Sequence, residues 1–235
     1  MSRNTVAPIT NRLLDRLPAK DRASVLERCD EVDLSFGEVL AAPGEAVRNV
    51  YFPTGCVISL LMPMGGKSIL EVAIVGSEGV YGASVALGIG ASPLLALVQV
   101  AGSAWQMGAV AFSRELAKTP ALRDVVDRHT YVQMTHLILG AGCNRFHVVE
   151  QRVARWLLVT GDRSQAATFG ITHEFLARML GVRRVGITRA ARALQARNLI
   201  TYTRGVLTIL DRKGLERASC ACYRSDLSTY ERAFA

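Results

Sequence analysis

Apolar residues follow three successive rhythms along this chain. Between residues 10 and 28, Leu13, Leu14, Leu17, Val25 and Leu26 stand at helical steps around Pro18, which predicts a short helical preface. From about Val32 to Met107 the apolar runs become short and rich in Val, Ile, Tyr and Phe. They are broken by Gly37, Pro43-Gly44, Pro53, Gly55, Pro63, Gly65-Gly66, Gly76, Gly79 and Gly82. Turns this closely spaced predict an antiparallel sandwich or barrel. After Val110 the glycines thin out, and helical spacing runs first through Phe112 to Lys118 and then from Pro120, a good first helical residue, to about Gly140.

The long helix carries an apolar seam whose members include Leu122, Val126, His129, Val132 and His136. So narrow a stripe on a helix between two domains suits pairing with a second copy of itself; the alternative is packing against its own β domain. Gly140-Ala-Gly-Cys-Asn144 interrupts the pattern and is the expected interdomain hinge. An amphipathic helix follows from about His147 to Val159.

Residues Ile171 to Ile200 hold the most specific signal. Thr172 is placed to cap a helix whose apolar side is Phe175, Leu176, Met179 and Leu180, and Gly181 offers the left-handed conformation of a sharp turn. In the next helix Ile187, Ala190, Ala191 and Leu194 fall on one face, with small residues that allow close helix crossing. The opposite face carries Val185, Thr188, Arg189 and Arg192, flanked by Arg184. Leu199-Ile-Thr-Tyr-Thr203 and Val206-Leu-Thr-Ile209, joined by Arg204-Gly205, read as a β-hairpin wing. The motif is a winged helix-turn-helix, and guanidinium groups on its second helix suit phosphates and the paired acceptors of guanine.

Charge sharpens that reading. The formal net charge of +8 is concentrated: residues 145 to 217 hold 14 Lys+Arg against 5 Asp+Glu, and the rest of the chain holds 14 against 15. A basic module joined to a neutral one fits a double-stranded DNA binder with a separate control domain. Five cysteines, Cys29, Cys56, Cys143, Cys220 and Cys222, are scattered and odd in number, so free thiols are expected rather than a disulfide framework. The gap in Cys220-Ala-Cys222 matches neither zinc knuckles nor thioredoxin-type sites, and no metal or cofactor is expected. Residues 1 to 8 lack the apolar core of an export signal and no run is long enough to span a membrane, so a cytoplasmic protein without membrane contact is expected. The chain has no nucleophile elbow, P-loop or metal-spaced His/Glu set, which argues against an enzyme.

Gly37-Glu-Val-Leu, Gly44-Glu45 and Val50-Tyr-Phe-Pro-Thr-Gly-Cys-Val57, together with Ile171 to Ile200 ending in Asn198-Leu-Ile200, resemble the Crp/Fnr family of bacterial transcription regulators. The resemblance implies an α+β chain. Its parts are an N-terminal antiparallel β-roll of the double-stranded β-helix, jelly-roll-like kind over residues 1–119, a dimerisation helix over 120–143, and a C-terminal winged helix-turn-helix over 144–235. It also implies a homodimer acting on DNA in transcription regulation with RNA polymerase as partner, and DNA contacts from Arg183, Arg184, Val185, Thr188, Arg189, Arg192, Thr172 and Arg204. Family members that bind cyclic AMP hold its phosphate with a Gly-Glu pair and a following Arg. The matching stretches here are Tyr81-Gly82-Ala83 and Pro93-Leu94-Leu95-Ala96, so the effector position would be lined by Tyr81, Gly82, Ala83, Leu94 and Leu95 and would lack both charges. Binding of cyclic AMP in that mode is not expected, because a buried phosphate needs a cation and aimed donors. Glu78 and Arg114 are the groups that would have to substitute. The iron–sulfur branch of the family needs cysteines near the N-terminus, where this chain has only Cys29, and a haem branch would need His129 or His136 as axial ligand. The family's base-reading Glu is Val185, a side chain suited to a thymine methyl, and its usual Ser at the helix start is Arg183. The competing interpretation is a degenerate sensor that binds a different small molecule and acts through protein partners.

Overall fold

A computed structural model describes residues 10–66 and 68–235; the first eight residues, over which no export signal is expected, lie outside the described residues. After a short 3-10 turn (Leu14–Arg16) and α1 (Ala19–Leu26), seven strands build two facing antiparallel sheets. These are β1 (Asp30–Leu34), β2 (Val39–Ala41), β3 (Asn49–Pro53), β4 (Val57–Pro63), β5 (Ile69–Val75), β6 (Leu95–Val100) and β7 (Gly102–Gly108), ordered β1-β7-β3 and β2-β6-β4-β5. The period-two rule is visible in β3. Tyr51 points into the core between the sheets with Ile58, Val98 and Ala104, while Val50 and Phe52 point outward to the preface and the helices that follow. The mixed α+β architecture and the antiparallel roll thus agree with the expectation from short apolar runs between turn residues.

Helices α2 (Ala109–Lys118) and α3 (Pro120–Phe146) follow. The expected hinge at 140–144 is not there. Gly140 and Gly142 lie within the 27 residues of α3, and the chain breaks only at His147, whose backbone is extended. Two interior glycines cost a helix about 1 kcal/mol each relative to alanine, which the packing of the final turn around buried Cys143 outweighs.

The expected dimer seam is also corrected. Leu122, Val126, His129 and Val132 are at most 1% exposed and His136 is largely covered, all within their own chain. Leu122 and Val126 pack against Val50, Phe52 and Phe112 of the roll. His129 lies against Gly79, where a Cβ would come within 2.0 Å of its ring, and its Nε2 accepts the Val80 N–H at 3.3 Å. The outward face of α3 is instead Tyr131, Met134, Leu137 and Ile138.

Burial drives the His129 imidazole down from its ordinary 6.5 to about 4, with the nearby Glu78 carboxylate opposing that fall. The folded chain therefore keeps His129 neutral where the unfolded chain takes up a proton. Its stabilising contribution is complete above pH 6.5 and is lost as the pH falls from 6.5 through 4. Urea unfolding across that window should show stability dropping by about 3 kcal/mol from this group alone. Burial raises the Glu71 carboxyl to about 7, which changes stability in the opposite sense over the same range. The contribution of His129 is therefore read as the difference from His129→Gln, and an unchanged pH profile in that variant would contradict the buried neutral state.

The C-terminal part comprises α4 (Val149–Ser164), β8 (Thr168–Gly170), α5 (His173–Leu180), α6 (Arg184–Ala196), β9 (Ile200–Thr203), β10 (Val206–Ile209), α7 (Arg212–Ala218) and α8 (Cys222–Ala233). Strand β8, absent from the sequence reading, widens the wing to a sheet of order β8-β10-β9. Its core holds Leu157, Leu176, Ile187, Leu194 and Leu207, and continues onto the roll through Leu61. Glu71 of β5 accepts the Trp156 indole N–H at 2.7 Å, so α4 is gripped by the roll. Helix α8 turns back along α3: Arg128 donates to the Ala233 carbonyl at 2.8 Å, and Arg16 to that of Phe234 at 3.0 Å. The tail of the expected 144–235 unit therefore divides: Tyr223 stays in the C-terminal core and its hydroxyl donates to Asp162 of α4, while the end of α8 packs on the long helix and the N-terminal preface.

Candidate nucleic-acid interface

The geometry of the interface begins with two caps. Thr172 stands before α5 with its hydroxyl accepting the Phe175 N–H at 3.0 Å, which satisfies one of the helix's unpaired donors. Gly181 ends α5 at φ 61°, a left-handed geometry that a residue with a side chain adopts at a cost, and its N–H bonds back to the helix. Three residues later α6 begins. Its apolar face, Ile187, Ala190, Ala191 and Leu194, is at most 4% exposed and packs on α4 and α5. Both faces of α6 are therefore assigned by one repeat, apolar residues inward at three- and four-residue steps and arginines outward.

Arg184, Val185, Arg189 and Arg192 are exposed, Val185 to 64%, and so is Arg183 at the N-cap position. Arg183 supplies no side-chain cap, which leaves the start of α6 with open N–H groups and its positive dipole end beside cationic side chains. Among the described residues, the guanidinium groups of Arg183, Arg184, Arg189, Arg192 and Arg204 have no ion-pair partner. Five arginines elsewhere, Arg28, Arg155, Arg163, Arg197 and Arg212, are by contrast held by a carboxylate at 3.1 Å or less. Guanidinium donors on the outer face of α6 are thus left available to an anion from outside the chain.

Two of the residues expected to contact DNA have their hydroxyls engaged at home. Thr172 caps α5. Thr188 donates to the Arg184 carbonyl at 3.1 Å and lies 3.1 Å from His173 Nδ1. Their hydroxyls position the motif. His173, which the sequence reading passed over, is the pin: its ring stacks on Tyr202 at 4.5 Å with an interplanar angle of 14°, and Tyr202 donates to the Ile171 carbonyl. Burial first, then Arg184 and Arg192, lower its pKa, so it adds no charge at neutral pH. Only its neighbours across the fold reveal that role. At the wing tip Arg204 and Gly205 have φ 51° and 81°, the left-handed pair of a type I′ hairpin turn, and Arg204 points to solvent.

Inside the roll, Tyr81, Gly82, Ala83 and Leu94 line a cavity of about 160 Å³ with Val47 and Gln133. Leu95, expected there, instead packs against the helix-turn-helix core, because alternation along β6 sends it to the opposite face of the sheet. The lining residues include no charged side chain. Glu78 is committed to Arg163 at 3.0 Å, and Arg114 is exposed on α2, so neither reaches the cavity. The Tyr81 hydroxyl and Gln133 Nε2 are buried without partners. No described helix is long and apolar enough to cross a membrane.

Residues 151–218 match the Crp-like helix-turn-helix domain. No curated protein matches the chain. Its fold is that of solved regulators. FixK2 from Bradyrhizobium japonicum superposes with TM-score 0.65 at 16% identity, over 82% of this chain and 98% of that one. A CRP-family transcriptional regulator from Thermus thermophilus gives 0.65 at 20% identity, over 80% and 96%. The c-di-GMP-responsive global regulator CLP from Xanthomonas campestris gives 0.65 at 15% identity, over 82% and 99%.

Proposed function

We propose that this chain, which carries a Crp-like helix-turn-helix domain on the fold of Crp/Fnr-type regulators, is a dimeric, sequence-specific DNA-binding transcription regulator. The observation that carries the reading is the row of outward arginines on α6, without ion-pair partners among the described residues, opposite the buried face that packs this helix on its neighbours. In this reading Arg184 and Arg189 take base edges, Val185 a thymine methyl, and Arg183, Arg192 and Arg204 the backbone phosphates. Thr172, Thr188 and His173 hold the helix at its angle. A mobility shift with genomic fragments at moderate salt tests it: selective retention of a subset is expected, and uniform retention or none would contradict it.

Tyr131, Met134 and Ile138, spaced by three and four residues and exposed, supply the dimer contact in place of the buried seam. The double change Met134→Glu and Ile138→Glu should give monomers in sedimentation velocity and lose selective DNA binding. A dimeric variant would place the contact elsewhere.

Effector control in this reading acts through the roll cavity. Its uncharged lining favours a small ligand with hydrogen-bonding groups over an anchored phosphate, since burying an unpaired phosphate is costly. Cyclic AMP is therefore expected to leave thermal stability and DNA binding unchanged.

A further inference from the structure

Four metal-ligating side chains converge at the far end of α3, in a place the DNA-binding reading does not use. Cys143 lies in the last turn of α3 and His147 caps it, so the two stand one helical turn apart on the same face. Cys220 follows α7 and Cys222 opens α8. The Cys143 and Cys220 Sγ atoms are 3.5 Å apart, the Cys222 Sγ is 3.6 Å from His147 Nδ1, and all four ligand atoms lie within 4.8 Å of one another. The three cysteines are buried, the most open being Cys222 at 9%, and form their own small cluster. All are free thiols.

We propose that Cys143, His147, Cys220 and Cys222 bind a single zinc ion that fastens the end of the long helix to the junction of the last two helices. Zinc bonds of about 2.3 Å to sulfur and 2.0 Å to nitrogen put tetrahedral ligands about 3.8 Å (S to S) and 3.5 Å (S to N) apart. The separations of 3.5 and 3.6 Å already match those edges, and the remaining pairs need to close by at most about an ångström. Three soft thiolates and one imidazole in tetrahedral array select zinc over harder divalent ions. With zinc the site carries a net charge of −1. Arg152, on neighbouring α4 and without a carboxylate partner among the described residues, lies close enough to couple electrostatically to Cys143 and Cys220 and offset it. A disulfide between Cys143 and Cys220 would use only two of the four groups and leave a histidine aimed at a thiol without purpose.

Because His147 is also where α3 gives way to α4, the ion would hold the angle at which the helix-turn-helix leaves the long helix. The linear pattern Cys-x-Cys hid this site, since half its ligands lie over 70 residues away in sequence.

The full-length protein, incubated with zinc alone and desalted against a weak chelator, should retain one zinc per chain by elemental analysis and native mass spectrometry. Titration with cobalt(II) alone should raise the absorption bands of thiolate-bound tetrahedral cobalt. Cys220→Ser with Cys222→Ser should abolish both signals. Loss of even an outer-shell partner lowers metal affinity by about 10- to 100-fold, so His147→Ala should weaken zinc by at least about tenfold. Should the double variant fail to fold, the wild-type stoichiometry, the cobalt spectrum and His147→Ala decide the matter. Wild-type protein with free thiols and no retained metal overturns the proposal, as does a Cys143–Cys220 disulfide in protein isolated without reductant. So does cobalt binding that lacks the thiolate bands.

Discussion

Replacing Arg189 by alanine should weaken binding to a preferred duplex by about 1 to 3 kcal/mol while affecting random duplexes far less. Arg189 sits in the middle of α6, opposite the buried Ile187, Ala190 and Leu194, so it projects from the helix's outer side. It has no ion-pair partner among the described residues, so its removal strands no charge and leaves the fold as it was. The effect belongs to recognition alone, and equal melting temperatures for variant and wild type would show that. A lysine at this position restores the charge but not the two-pronged contact, so Arg189→Lys should recover non-specific affinity and little of the preference. An equal loss on every duplex, with a salt dependence lowered by about one counterion, would mean that the side chain touches only phosphate.

Arg163→Ala should destabilise the fold by about 3 to 5 kcal/mol, because it leaves a buried carboxylate without its partner. The Arg163 Nε is 3.0 Å from Glu78 Oε1, and both side chains are less than a tenth exposed. The same guanidinium donates to the Ile74 carbonyl and lies 3.1 Å from His136 Nδ1, while the Arg163 carbonyl accepts the Ser77 N–H at 3.0 Å. The chain passes so close that a Cβ on Gly76 would stand 2.4 Å from that of Arg163. One residue thus ties α4 to the end of β5 and to α3. Chemical denaturation of Arg163→Ala and of Arg163→Met with Glu78→Gln checks the cause: the double change, which removes both charges, should recover a large part of the loss. If it does not, the energy lies in packing rather than in the ion pair.

The helix-turn-helix was legible because its signals are local. Thr172, Gly181 and the Ile187 to Leu194 repeat lie within 25 residues, and each states a backbone requirement that tertiary context did not override. The seam on α3 failed for the complementary reason. A 3.6-residue repeat identifies an apolar stripe but not its neighbour; Leu122, Val126 and His129 face the roll, and the exposed stripe of Tyr131, Met134 and Ile138 is too short to stand out against it. Gly140 and Gly142 read as a break because intrinsic propensity was weighed without the packing of Cys143. Strand β8 has three residues, too few for alternation to show, and exists because β10 offers it an edge. In the roll, Tyr81, Gly82, Ala83 and Leu94 were placed at the cavity by resemblance, whereas Leu95 missed it through the one-residue alternation of a strand. The pin formed by His173 on Tyr202 joins residues 29 positions apart, a contact no linear pattern encodes.

Selection of duplexes from a random library by the purified full-length protein addresses the central claim, that the exposed arginines of two copies of α6 read one DNA site. The enriched sequences should form a two-fold symmetric motif with half-sites about one helical turn apart, its guanine positions losing their enrichment when Arg184 and Arg189 are both alanine. A library that emerges without an enriched motif, or a motif that survives loss of both arginines unchanged, would contradict the account.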